Sequence, residues 1–358
     1  MKKYYVFFAG LMILIVSCVK QPSEPIDDNT NIGKTGAFIL CEGLYNKDNS
    51  TLDRFDFASN TILNDYFGKT NTGLRLGDSG SDVVIIGNRT YITVSASHTI
   101  EVMETLTGKS LGRIIYSQTS SPRKICMIND SIGYVTDLLR NSISKVNLKS
   151  LTIILDSLPV GPAPEGIAFY NNYLFVANSG FGDYMANVPK AGTVSVIDIT
   201  TNQAIKELKN LPNVIEVLIN KKSGKLYVGY LNLPSLSDST GGIAEFNLNT
   251  FDETRRWKFK ASGITLSSTG DSLFFFKDST VSMLKLKDAN PQPQELFTNS
   301  ASSETWYSLS YSAYNNSLYV GNAKNFQVNG SLLIYPLNDL LNPKVFQTGI
   351  NPNKIVFF

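Results

Sequence analysis

Three short patterns recur along this chain, seven times each and in a constant order. The first is an apolar run that follows a turn residue, with runs beginning at Val83, Ile125, Ile167, Ile215, Ile264, Tyr307 and Ile355. Successive members lie 42, 42, 48, 49, 43 and 48 residues apart. The second is an aromatic heading a β-rich tripeptide: Phe38, Tyr91, Tyr134, Phe175, Tyr227, Phe274 and Tyr319. The third opens on a small residue and continues with alternating apolar positions, the first of them Leu52, Ile100, Ile143, Val194, Ile243, Val281 and Leu332. A period of about 45 residues constrains the fold strongly, because one such unit cannot bury its apolar face alone. Three clear strands and a weaker fourth per period describe the blade of a propeller. The expected architecture is all-β, a seven-bladed β-propeller over residues 36–358.

Local chemistry agrees with this reading. Alternation such as Val194-Ser195-Val196-Ile197 predicts a strand with one face more buried than the other. Asp56, Asn147, Asp198 and Asn247 close the third strand in four units, where Asp and Asn suit a tight turn into an outer strand. The first unit starts at Phe38 with its second strand and lacks an inner one. Residues 351–358 (NPNKIVFF) read as an inner strand with no blade after it. The C-terminal strand is therefore expected to complete blade one and close the ring, which removes an open sheet edge. An open solenoid and two sandwiches are the alternatives.

The N-terminus reads as an address. Lys2 and Lys3 precede an apolar run from Tyr4 to Val16, too short to span a bilayer comfortably. The run ends Leu14-Ile15-Val16-Ser17-Cys18, which resembles the bacterial lipobox. That resemblance implies cleavage before Cys18 and lipidation of its thiol; an ordinary signal peptide is the alternative. Residues 1–17 are then the signal peptide, and residues 18–35 are the lipidated Cys and a polar, Pro-containing tether. Acyl chains anchor firmly, at about 0.8 kcal/mol per buried CH₂. The acidic character that Glu24, Asp27 and Asp28 give the tether resembles surface-export signals of Bacteroidota lipoproteins. The expected location is the cell outer membrane, lipid-anchored; surface exposure is what the tether's resemblance implies.

Composition excludes several functions. A single His and three Cys cannot build a multi-His or Cys-rich metal site. The chain has 32 Lys and Arg against 30 Asp and Glu, and loses two lysines with residues 1–17. A net charge of zero then offers nucleic acid no electrostatic footprint, and no steering by net charge. No metal and no cofactor is expected.

PVGPAPEGIAFYNNYLFVANSG (159–180) and AGTVSVIDITTNQAIKEL (191–208) resemble the YVTN-type repeat of YncE-like seven-bladed propellers. AFILCEGLYNKDNSTLDRFDF (37–57) and LGDSGSDVVIIGNRTYIT (76–93) resemble a narrower group, the surface propeller lipoproteins of Bacteroidota. Some of that group capture cobalamin for an outer-membrane transporter. The resemblance implies a corrinoid ligand and a transporter partner for a monomeric propeller.

A ligand would meet the face formed by the loops between second and third strands. Those loops are long in four units: Glu42–Ser50, Asn178–Gly192, Tyr230–Gly242 and Asn322–Gly330. They carry Tyr45, Phe181, Tyr184, Met185, Tyr230 and Phe326, with Asn178 at the start of one loop. Aromatic rings beside Asn and Asp suit a flat, amphipathic ligand or a protein partner. Asp82, Arg123, Glu165, Asn213, Trp306 and Asn353 stand at inner-strand starts and are expected to ring the channel mouth. Loop packing alone is the competing role for each.

Enzyme signals are weak. His98 has no nucleophile-elbow partner. Glu42, Asp137, Glu165 and Asp183 could converge as paired carboxylates, but no Asp-box accompanies them. No catalytic residue is expected. Cys41 and Cys126 fall in units one and three, too far apart for a disulfide, and are expected as free thiols. The sequence thus points to a ligand-capturing propeller, with a pure protein-interaction platform as the alternative.

Overall fold

The computed structural model describes residues 34–235, 240–299, 301 and 304–358. Cys18, the expected signal peptide and nearly all of the expected tether lie outside the described residues. The remainder forms seven four-stranded antiparallel sheets, each running inner to outer strand in chain order except the first. Blade one has the order Pro352–Phe357, Gly36–Cys41, Thr51–Asp56 and Thr61–Leu63. The C-terminal strand pairs antiparallel with Gly36–Cys41, from Ala37↔Phe357 to Cys41↔Pro352. The ring is closed as the repeat phase required.

Asp53 reinforces the seam. It is fully buried on the third strand of blade one. Its carboxylate accepts from Gly349 N at 2.8 Å on the outer strand of blade seven, Asp65 N at 2.9 Å and Asn64 Nδ2 at 3.0 Å. Cys41 lies beside it, its thiol pushed up by burial and then by the Asp53 charge. Cys41 and Cys126 are free thiols.

The aromatic series forms the middle of the core. Phe38, Tyr91, Tyr134, Phe175, Tyr227, Phe274 and Tyr319 are all buried. Each sits on a second strand, and buried tyrosines keep a polar partner: Tyr91 donates to Leu148 O at 2.9 Å, Tyr227 to Glu245 Oε2 at 3.0 Å. Alternation along a strand does not separate a buried face from an exposed one. Val194, Ser195, Val196 and Ile197 are all buried, so both faces of the strand are covered. A blade is sandwiched between two neighbours, and its inner strands face protein on both sides. The Asx turns are as expected. Asp56 Oδ1 accepts from Ser59 N at 2.8 Å, Asn147 Oδ1 from Lys149 N at 3.0 Å, Asp198 Oδ1 from Thr200 N at 2.8 Å and Asn247 Oδ1 from Asn249 N at 2.8 Å.

Three of the long connections between second and third strands, following Cys41, Asn178 and Tyr230, hold no strand among the described residues. The fourth differs. In blade seven the strands extend as Ser317–Lys324 and Asn329–Pro336, leaving only residues 325–328 as the turn. Backbone pairing, not loop, absorbs that insertion.

Candidate functional site

Every inner strand carries a register shift near its top end, for example between Gly80 and Asp82, Pro122 and Ile125, Pro164 and Ile167, and Trp306 and Ser308. A bulge places an extra residue opposite its partner strand and re-aims its side chain. At this position stand Ser81, Arg123, Glu165, Tyr307 and Asn353. One residue further down, Asp82, Lys124, Gly166, Glu216, Gly263, Ser308 and Lys354, one from each blade, line a channel cavity of about 260 Å³. The channel is thus a charge-balanced ring. Burial lowers Lys124 and raises Glu216, each toward its neutral form. The sequence carried a signal for this ring: Asp82, Lys124 and Lys354 each directly precede a repeating apolar run.

Above the channel the bulge residues make a tight ionic cluster. Arg123 Nε lies 2.9 Å from Glu165 Oε2, and its Nη1 lies 3.9 Å from Glu42 Oε1. The Tyr307 hydroxyl donates to Glu42 Oε2 at 2.9 Å. The Glu165 carboxylate, with Glu42 behind it, raises Arg123 above the ordinary guanidinium range despite burial. Burial and the Glu42 charge raise Tyr307. Four of the predicted residues meet around this cluster. Tyr45, Arg123, Phe181 and Phe326 line one top-face cavity of about 790 Å³, together with Glu42, His98, Leu138 and Leu139. Tyr45 is 74% exposed and Phe181 60% exposed, so their rings are available to a ligand. Tyr184 stands beside them, its ring edge-on to Phe181 at 6.5 Å.

The other predicted residues have different roles. Glu165 is buried and supports the cavity through Arg123. Asp82 is buried one layer lower, where it accepts from Ile125 N at 3.1 Å. Asn178 is fully buried, accepts from Gly161 N at 3.0 Å and donates to Thr193 and Ser195 at 2.9 Å. It is a clamp within blade four, because a buried amide must satisfy its polar atoms. Tyr230 is buried, with the Arg256 guanidinium 5.2 Å from its ring centre. It borders a separate cavity of about 700 Å³ between blades four and five. Trp306 does not ring the mouth. Its ring packs between blades, with centres 5.6 Å from Phe297 and 6.1 Å from Phe276 and Tyr335. The bulge gives the mouth position to Tyr307, one residue on. Asn213 holds loop geometry, its Oδ1 accepting from Gly182 N at 3.2 Å, and Asn353 donates to Gly80 O at 2.7 Å.

Of the four carboxylates that sequence allowed to converge, only Glu42 and Glu165 do, with Arg123 between them. Asp137 Oδ1 accepts from Ser121 N at 2.8 Å across to the inner strand and from Arg140 N at 3.3 Å within its own turn, and Asp183 Oδ1 accepts from Ser235 N at 3.3 Å. His98 borders the cavity and bonds through Nδ1 to Ser120 O. Among the described residues, no three His, Cys, Asp or Glu side chains gather to hold a metal ion.

Solved structures share this architecture at low identity. A quinonprotein alcohol dehydrogenase-like protein from Bacteroides thetaiotaomicron is 15% identical, with a TM-score of 0.69 over 91% of this chain and 79% of that one. The periplasmic gluconolactonase of Pseudomonas aeruginosa is 10% identical, with a TM-score of 0.65 over 91% and 99%. A protein from Lactobacillus plantarum is 11% identical, with a TM-score of 0.65 over 91% and 100%. Identities this low establish the fold alone. No curated protein matches. A family model covers residues 35–333, and on that match the chain belongs to the family described as a domain of unknown function, DUF5074.

Proposed function

We propose that this propeller is a lipid-anchored, outer-membrane protein that binds a ligand on its top face and passes it to a transporter, the candidate ligand being a corrinoid. The observation that carries the binding reading is the cavity of about 790 Å³ shared by Tyr45, Phe181 and Phe326 over the Arg123 cluster. Cavities of this size with aromatic walls and a few placed polar groups are typical of small-molecule sites. Exposed rings supply flat apolar surface. Arg123 is neutralised by Glu165 and Glu42, so it offers directed hydrogen bonds more than net charge. Binding is accordingly expected to depend weakly on salt. The resemblance of residues 37–57 and 76–93 to the surface propeller lipoproteins supplies the corrinoid and the transporter. The reading is of capture without turnover.

Calorimetry and visible absorbance with cobalamin and cobinamide test the ligand. Tyr45→Ala and Phe181→Ala should each weaken binding by about tenfold. Absence of both heat and spectral shift for either compound overturns the assignment. A second reading, a protein-interaction platform, is favoured by Tyr184, which is 78% exposed outside the cavity lining. Co-purification of a membrane protein from detergent extract, lost on deleting residues 182–190, would support it.

A further inference from the structure

Between blades four and five the repeat departs from itself in charge. At the top of the outer strand, opposite the first residue of the third strand, stand Ile115 in blade two, Pro159 in blade three and Thr298 in blade six. Blade five has Lys258 at this position. Blade four has Lys209, one residue beyond the Val194↔Leu208 pair. Both side chains are exposed, and neither ammonium group makes a hydrogen bond or ion pair among the described residues. The two lysines come from adjacent blades and line the same top-face cavity of about 700 Å³, which Lys190 and Arg256 line as well. Glu207 is the one carboxylate in that lining among the described residues, 2.8 Å from Lys190 Nζ. Arg256 is held by Glu253 through Nε and Nη2, both at 2.7 Å, and its Nη1 donates to Asn210 O at 2.6 Å. Four cations thus face two carboxylates, a local surplus of two positive charges in a chain whose 32 basic and 30 acidic residues nearly balance.

We propose that this cavity is a second binding site, for a small organic polyanion that carries at least two carboxylate or phosphate groups. Its volume suits a small molecule. Leu211, Tyr230 and Leu233 are buried in its floor, so the charges stand over apolar atoms, where a cleft of one sign concentrates counter-ions. Lys209 and Lys258 act as point charges, each on one anionic group, and no ion pair within the protein has to open first. A ligand with a single anionic group satisfies one of the two lysines; a ligand with two or more satisfies both. Arg256 is already engaged by Glu253 and Asn210 and packs on the Tyr230 ring, so it is a fixed wall of the site. Both lysines are exposed, and binding here depends strongly on salt, in contrast to the aromatic cavity. The assignment is independent of any corrinoid: Tyr45 and Arg123 do not line this cavity, and Lys209 and Lys258 do not line theirs.

Calorimetry on the purified protein with citrate, fructose 1,6-bisphosphate, acetate and inorganic phosphate tests this. Citrate or fructose 1,6-bisphosphate should bind at least about tenfold more tightly than acetate and phosphate. Which of the two binds more tightly distinguishes a carboxylate from a phosphoryl ligand. Raising sodium chloride from about 50 mM to about 500 mM should weaken that binding by about tenfold. Lys209→Gln and Lys258→Gln, both at exposed positions, should each weaken it by about fivefold, while Tyr45→Ala leaves it unchanged. Lys109→Gln, at an exposed lysine of blade two, should leave it unchanged too. Binding of neither polyanion overturns the proposal, as does equal binding of acetate or phosphate. Equal weakening by Lys109→Gln means attraction to any surface lysine and overturns it as well.

Discussion

At the scale of the residue, burial separates clamps from contacts. Asn178 was marked by its place at a loop start, but its amide is consumed within blade four. Asn178→Ala should cost about 1–3 kcal/mol in urea denaturation, because it strands buried partners, and should leave top-face binding unchanged. A large loss of binding in a stably folded Asn178→Ala protein would refute the clamp role. Glu101 gives a pH signature. Its carboxyl is raised from 4.5 to about 7, chiefly by burial. For an acid raised on folding, the neutral form is the stabilising one. That stability is complete below about 4.5 and is lost as pH rises through about 7. Relative to Glu101→Gln, the wild-type protein should lose on the order of 3 kcal/mol across this window. Parallel stability curves for the two proteins would contradict it. Trp306 shows why residue type misleads: an aromatic at a strand start looks like a mouth residue until the backbone decides where it points.

At the scale of the element, the inner-strand bulge is the decisive device. It sets Arg123, Glu165 and Tyr307 at the mouth and drops Asp82 into the channel. Strand identity, strand order and the buried aromatic column were legible from apolar and aromatic residues recurring at fixed phase. The bulges were not, because a two-residue periodicity does not register one extra residue that breaks pairing without breaking the pattern. The same limit explains blade seven, where residues read as loop pair as strand up to Lys324 and from Asn329. The aromatic column makes a direct prediction. Phe274→Ala on the second strand of blade six should destabilise by about 3–5 kcal/mol, since the cavity lies between packed sheets. A cost below 1 kcal/mol would mean that neighbouring blades collapse into the gap.

At the scale of the molecule, stability rests on closure. Blade one is built from both ends of the ring, and the last strand pairs from Ala37↔Phe357 to Cys41↔Pro352. Deleting residues 351–358 should abolish the folded monomer, because it exposes the edge of Gly36–Cys41 and removes the inner strand of a blade. Loss of the cooperative transition in circular dichroism, with aggregation on size exclusion, is the expected result. A soluble truncated monomer of unchanged melting temperature would show that closure is dispensable.

The sequence by itself determined the number of blades, the phase of the strands and the strand that closes the ring. These follow from which residues must leave water, and that requirement repeats along the chain in a fixed order. Only the tertiary structure decided which polar side chains share a space. Tyr45, Arg123, Phe181 and Phe326 come from four different blades and meet because the ring curves them together. Arg123 meets Glu42 from another blade, and Glu101 pairs with Arg113 of its own blade while Asp53, at the same position in blade one, accepts from the outer strand of blade seven. Such differences depend on the neighbouring blade and on a bulge of one residue, and neither is written into the local pattern of a single repeat.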